Sequence, residues 1–163
     1  MRLPGTRWGL RDGTMDELLS VLRQAALFEG LSAEELESIA ALCQARTFRS
    51  GEIITTQGER GDELFVVSQG FVEVTLTNPE AGAEPRTVVH LGPGQIVGEM
   101  SLVDRGPRSA TVRALTDGAR LQSLKRDAFL QLCQTNTHLG YTVMRNMAAD
   151  LSFKLRHRNL TGR

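Results

Sequence analysis

Glu99 and Arg108 stand nine positions apart in a segment, Gly92 to Val112, whose composition is unlike its surroundings: Gly92-Pro93-Gly94-Gln95-Ile96-Val97-Gly98-Glu99-Met100-Ser101-Leu102, then Val103-Asp104-Arg105-Gly106-Pro107-Arg108-Ser109-Ala110-Thr111-Val112. Gly98 can open a helical turn over 99–102. The first amides of such a turn have no partner within it and point outward, which is how helix N-termini hold anions. Arg108, arriving after a loop, can close on the same anion with charge-assisted bonds. Ser109 adds a hydroxyl donor, and Ala110 offers a backbone amide. Glu99 is the odd member, because a carboxylate beside a bound phosphate repels it unless something else occupies that carboxylate. A sugar hydroxyl does so naturally, as when an acidic residue takes a ribose 2′-OH in dinucleotide sites. Phosphate donors and a ribose-reading carboxylate in one short segment describe a compact nucleotide with phosphate and 2′-OH close together. A cyclic phosphate has that geometry. Taken without its context, the Glu99/Arg108 pair reads as a surface ion pair.

The elements that must position this segment follow from the hydrophobic period. The chain has 163 residues, 40% hydrophobic and 23% charged, with 19 basic and 19 acidic side chains and no formal net charge. That is the composition of a soluble globular domain large enough to bury a core without disulfides or metals. Residues 1–13, with Pro4, Gly5, Gly9 and Gly13, read as a flexible leader. Thr14 to Glu17 and Ser32 to Glu35 both have capping-box form and precede apolar residues at helical spacing, predicting two short helices within 14–43 joined by a turn at Gly30. From Thr47 the period shortens to that of strands punctuated by glycine, giving a β-region over 46–125 with a tight hairpin expected at Gln69-Gly70 and a longer surface loop over 78–85. Helical spacing returns over 126–160, with Asn136-Thr137 as a cap. The fold class expected is α+β: a single domain over 14–163, an antiparallel β-roll (a double-stranded jelly roll) flanked by N-terminal helices and C-terminal helices.

With Gly98-Glu99-Met100-Ser101-Leu102 followed by Pro107-Arg108-Ser109-Ala110-Thr111-Val112, the chain resembles the cyclic nucleotide-binding domain family, the module of bacterial catabolite activators, kinase regulatory subunits and nucleotide-gated channels. Leu27-Phe28, Phe48, Gly51-Glu52, Gln57-Gly58-Glu59, Gly61-Asp62, Leu64-Phe65 and Gly70 fit the same pattern, so the resemblance runs over roughly 27–160. It implies that Arg108 pairs with the cyclic phosphate and Glu99 accepts from the 2′-OH. Val97, Gly98, Met100, Ser101, Ser109 and Ala110 would complete the ligand site, with Val97 where the family often carries a bulky aromatic. Leu102 and Phe129 would form the hinge to the C-terminal helices, which swing to cap the base. The lid residue is left open among Tyr141, Met144 and Arg145. The implied ligand is cAMP in preference to cGMP, because a hydroxyl at Ser109 is compatible with either and bacterial cAMP regulators also carry Ser there.

The other chemistry-bearing residues have plainer readings. His90 is the only histidine of the β-region, whereas a metal-dependent jelly-roll enzyme needs clustered His and carboxylate ligands. No metal, cofactor or catalysis is expected. Cys43 and Cys133 lie among apolar neighbours and read as free buried thiols. With no apolar stretch after Arg2 and Arg7 to make a secretory signal, a cytoplasmic location follows. The apolar runs are too short to span a bilayer, so no membrane partner is expected. Neutral charge gives no nucleic-acid footprint, and no helix-turn-helix follows the last helix before Arg163, so direct DNA binding is not expected. Leu139, Val143, Met147, Leu151 and Leu155, widened by Met144, form a stripe that reads first as core packing and second as a homodimer seam. The basic end (Lys154, Arg156, His157, Arg158, Arg163) reads as a solvated helix terminus. The function expected is a regulatory sensor with an unnamed protein partner. The competing readings are an interaction scaffold with a vestigial pocket and a truncated transcription regulator.

Overall fold

The computed structural model describes residues 14–78, 80, 82 and 84–161, with side chains through residue 157. The expected leader over 1–13, three positions of the expected loop over 78–85, and the end of the basic tail lie outside the described residues. The order is α1 (Thr14–Gln24), a 3-10 turn (Ala26–Phe28), α2 (Ala33–Leu42), eight strands, α3 (Arg126–Thr135) and α4 (Thr137–Thr161). The strands are β1 (Gln44–Phe48), β2 (Ile53–Thr55), β3 (Glu63–Gln69), β4 (Val72–Leu76), β5 (Arg86–Leu91), β6 (Ile96–Val97), β7 (Thr111–Ala114) and β8 (Ala119–Lys125), with a 3-10 turn at Glu99–Leu102 between β6 and β7. They form two four-stranded sheets, ordered β1-β8-β3-β6 and β2-β7-β4-β5, in which every pairing is antiparallel.

The capping box of α2 is present: the Ser32 hydroxyl accepts from the Glu35 amide, and the Glu35 carboxylate accepts from the Ser32 amide at 3.0 Å. Asn136 caps α4 by accepting from the Leu139 amide at 3.0 Å. At the other box α1 already includes Thr14, so Thr14 is a helical residue and not the residue before the helix. The expected hairpin at Gln69-Gly70 is absent. β3 pairs with β6 and β8, and β4 with β5 and β7, so the turn at Gly70 carries the chain from one sheet to the other. A glycine turn shows where a strand ends; it does not name the next strand's partner.

β3 explains the continuous apolar run at Leu64–Val67. Leu64 and Val66 face a core built with the helices, while Phe65 and Val67 face the interior of the roll with Phe48, Val72, Val112 and Leu121. A strand covered on both faces has no polar side to alternate. The helical core holds Leu22, Phe28, Ile39, Leu102, Phe129, Leu139, Val143 and Met147, all buried. The stripe on α4 therefore divides. Its first three members are core, Leu151 is half-buried, and Leu155 is 61% exposed.

Candidate functional site

β6 ends at Val97, which pairs with Phe65, and Gly98 then turns the chain at φ 81° into the 3-10 turn. That left-handed conformation is one an L side chain adopts only at a cost, and the space beside Gly98 is filled by the Arg108 guanidinium and the Glu63 carbonyl. The turn is fastened by the Ser101 hydroxyl donating to the Gly98 carbonyl at 2.7 Å. After the exposed loop, Arg108 is pinned by its backbone: its amide donates to the Glu59 carbonyl at 2.7 Å, and its carbonyl accepts from the Gly58 amide at 2.8 Å. Its guanidinium lies across Gly61, where any β-carbon would overlap it, and Nη2 donates to the Glu63 carbonyl at 2.7 Å.

Arg108 Nη1 is buried and has no hydrogen-bond partner. An unpaired donor on a buried cation is costly unless an anion meets it. Burial pulls the Arg108 pKa below the usual guanidinium value; the carboxylates of Glu63 and Asp62 oppose this, and Arg126 adds to it. The site is thus poised to gain from a negative charge.

A cleft of about 360 Å³ lies between these two segments. Val97, Gly98, Glu99, Met100 and Ser101 line one side; Arg108, Ser109 and Ala110 line the other. All eight ligand-site residues expected from the sequence come together there. The sequence reading missed the apolar wall of Val74, Val89, Leu91 and Val112 from the second sheet, and it missed Lys154 of α4. The wall was readable in part, since inward-facing residues alternate along β4 and β5. Lys154 carried no motif signal beyond being one of only two lysines in the chain. Its Nζ lies 3.7 Å from Glu99 Oε1 and 2.7 Å from Asp150 Oδ2.

Leu102 closes the 3-10 turn and is buried with Phe129 of α3 in the helical core, and α3 packs against the turn. The three lid candidates are placed differently. Tyr141 and Met144 line a separate groove with Leu130, Cys133 and Thr137, and Arg145 is exposed on α4; none of the three lines the cleft. The helix presents its later turns to the cleft, through Lys154, and not the first two turns.

Elsewhere, His90 lies 3.9 Å from Glu73, whose carboxylate also bonds Thr87 and Arg113. Among the described residues no group of three or more His, Cys, Asp or Glu is placed to hold a metal ion. Both cysteines are free, and burial pushes the Cys43 thiol up to about 12 and raises that of Cys133. Thiols so placed are poor nucleophiles. No helix among the described residues is long and apolar enough to cross a membrane.

Comparison with known proteins agrees with this fold. The family model for the cyclic nucleotide-binding domain matches residues 45–136. The cyclic AMP receptor protein of Thermus thermophilus is 36% identical over 139 residues, covering 85% of this chain and 61% of that protein. The crystal structure of the Thermus thermophilus catabolite activator protein superposes with a TM-score of 0.74 at 37% identity, over 83% of this chain and 61% of its own. The regulatory domain of Toxoplasma gondii PKA, solved with cAMP, gives a TM-score of 0.68 at 28% identity, over 75% of this chain and 45% of its own. The chain therefore spans less than two thirds of each of these relatives. An α+β domain of two antiparallel sheets with flanking helices is the architecture these structures share with it, and the chain belongs to the cyclic nucleotide-binding domain family.

Proposed function

We propose that this protein is a cyclic-nucleotide receptor, a sensor and not an enzyme, that signals by moving its C-terminal helices and acts in the cytoplasm. The observation that carries the reading is the buried, partnerless Arg108 Nη1 at a cleft whose opposite side presents Glu99. A cyclic phosphate supplies the anion, its fused ribose supplies the hydroxyl for Glu99, and the wall of Val74, Val89, Leu91 and Val112 offers apolar surface to the rest of the nucleotide. Leu102 and Phe129, sharing one core, would pass an inward shift of the 99–102 turn to α3. The preference for cAMP over cGMP rests on likeness to the cyclic AMP receptor protein of Thermus thermophilus.

Thermal unfolding tests this directly. A ligand held at a hundred times its Kd adds about 2.7 kcal/mol to stability by mass action. Cyclic AMP should raise Tm by several degrees, cyclic GMP by less, and linear AMP little. An unfolding temperature indifferent to both cyclic nucleotides at millimolar concentration overturns the reading and favours the scaffold with a vestigial pocket.

The partner of α4 is, on this reading, a second copy of the chain. Tyr141, Met144, Ala148, Leu151 and Leu155 recur at alternating spacings of three and four, the seam of a two-stranded coiled coil, and Tyr141 is 66% exposed. Sedimentation should give a dimer, and Leu151→Glu with Leu155→Glu should give a monomer; a wild-type monomer at micromolar concentration removes the seam. Direct DNA binding is not part of the proposal.

A further inference from the structure

Among the described residues, Lys154 is the one residue of α4 that lines the cleft and the only ion-pair partner of Glu99. Glu99 is the carboxylate that the proposed function assigns to the ribose 2′-OH. We propose that Lys154 is an internal competitor for Glu99, and that it sets how strongly the pocket prefers a ribose to a 2′-deoxyribose. This rests on the cyclic-nucleotide reading of the same site.

The geometry assigns the two partners of Lys154 different strengths. Asp150, one turn earlier on the same helix, holds Nζ at hydrogen-bond distance, 2.7 Å, while Glu99 Oε1 stands at 3.7 Å, beyond it. Burial would lower the Lys154 pKa, but Asp150 and Glu99 outweigh it and hold the ammonium above its usual value, so Lys154 carries its charge at neutral pH. The Glu99 side chain is only 23% exposed and that of Lys154 is 58% exposed. A carboxylate shared with an ammonium is a poorer acceptor for a neutral hydroxyl. A 2′-OH arriving within hydrogen-bond distance makes a charge-assisted bond, which is stronger than a loose, half-solvated ion pair. The hydroxyl therefore takes Glu99, and Lys154 falls back on Asp150, keeping its better contact. A nucleotide without the 2′-OH has nothing to exchange and leaves the Lys154–Glu99 pair in place.

Two effects of removing Lys154 must be separated. Its charge attracts the phosphate of any cyclic nucleotide, and that attraction is the same for ribose and deoxyribose. Its competition for Glu99 opposes the ribose alone. The ratio of the two dissociation constants isolates the second effect.

The test is calorimetric titration of the full chain, as wild type, Lys154→Met and Asp150→Asn, with cyclic AMP and with its 2′-deoxy analogue. Lys154→Met should raise the preference for the ribose about two- to fivefold, the range of an exposed ion pair. Asp150→Asn, by giving Lys154 wholly to Glu99, should lower it. An unchanged ratio in both variants overturns the proposal. A second measurement decides the pairing even if the wild type binds neither nucleotide, an outcome that overturns the parent reading. The Lys154 ammonium, titrated by NMR, should lose its elevated pKa partly in Glu99→Gln, and an unmoved titration there overturns the competition.

Discussion

Arg108→Ala should weaken cyclic-nucleotide binding by roughly 2–5 kcal/mol, on the order of thirty- to several-thousand-fold, without destabilising the fold. The two halves of that expectation have one origin. Nη1 is buried and unpaired, so in the absence of added nucleotide the guanidinium carries a desolvation cost that the Nη2 bond to the Glu63 carbonyl and the nearby Glu63 and Asp62 carboxylates offset only in part. Truncation relieves that cost. The path of the loop does not depend on the side chain, because the Arg108 amide and carbonyl are bonded to Glu59 and Gly58. Melting temperature without nucleotide should therefore stay the same or rise, while calorimetric affinity collapses. Arg108→Lys should recover part of the loss, since an ammonium restores the charge but not the fork that meets two phosphate oxygens. Binding by the alanine variant within threefold of wild type would remove Arg108 from the site. A large drop in melting temperature would instead give it a structural role.

What could be read from the sequence, and what could not, divides along physical lines. The segment from Val97 to Ala110 was legible because its chemistry is local: a glycine, a carboxylate and an arginine whose spacing is set by one short turn and one loop. The capping box at Ser32 was legible for the same reason, being a bond between residues three apart. The role of Gly61 was legible only as part of a family pattern. Its physical reason, the guanidinium lying across it, requires knowing that position 108 returns to position 61. The turn at Gly70 was legible as a turn and misread as a hairpin, because strand partners are chosen by long-range packing that leaves no trace in the two turn residues. The helix facing the cleft was the hardest part. α4 runs from Thr137 to Thr161, and on a helix so long the surface that meets the cleft depends on how its first turns are anchored. Leu139, Val143 and Met147 fix that anchor in the core. They carry Tyr141 and Met144 into another groove and bring Lys154, three turns later, over Glu99.

Phe129→Ala should cost about 3–5 kcal/mol of stability, the range for truncating a fully buried aromatic. Phe129 has no solvent exposure and packs against Phe28 with ring centroids 6.1 Å apart, so α3 is fixed at once to the N-terminal helices and to the core beneath the cleft. The chain on either side is held by backbone bonds, the Arg126 amide donating to the Asp62 carbonyl at 2.7 Å, so neighbours cannot collapse readily into the cavity. Urea unfolding should show a lower midpoint with an unchanged slope. That result alone would describe any core residue. The hinge role makes a further demand, because Leu102 closes the turn that carries Glu99 and lies in the same core. Phe129→Leu keeps most of the volume and should retain stability and affinity to within about 1.5 kcal/mol. If the helices move through this contact, it should nevertheless reduce the change in α4 hydrogen exchange that cyclic AMP produces. Phe129→Leu paired with Leu102→Ala should then show a coupling energy of about 0.5–3 kcal/mol, whereas strictly additive losses would make Phe129 a packing residue and place the hinge elsewhere.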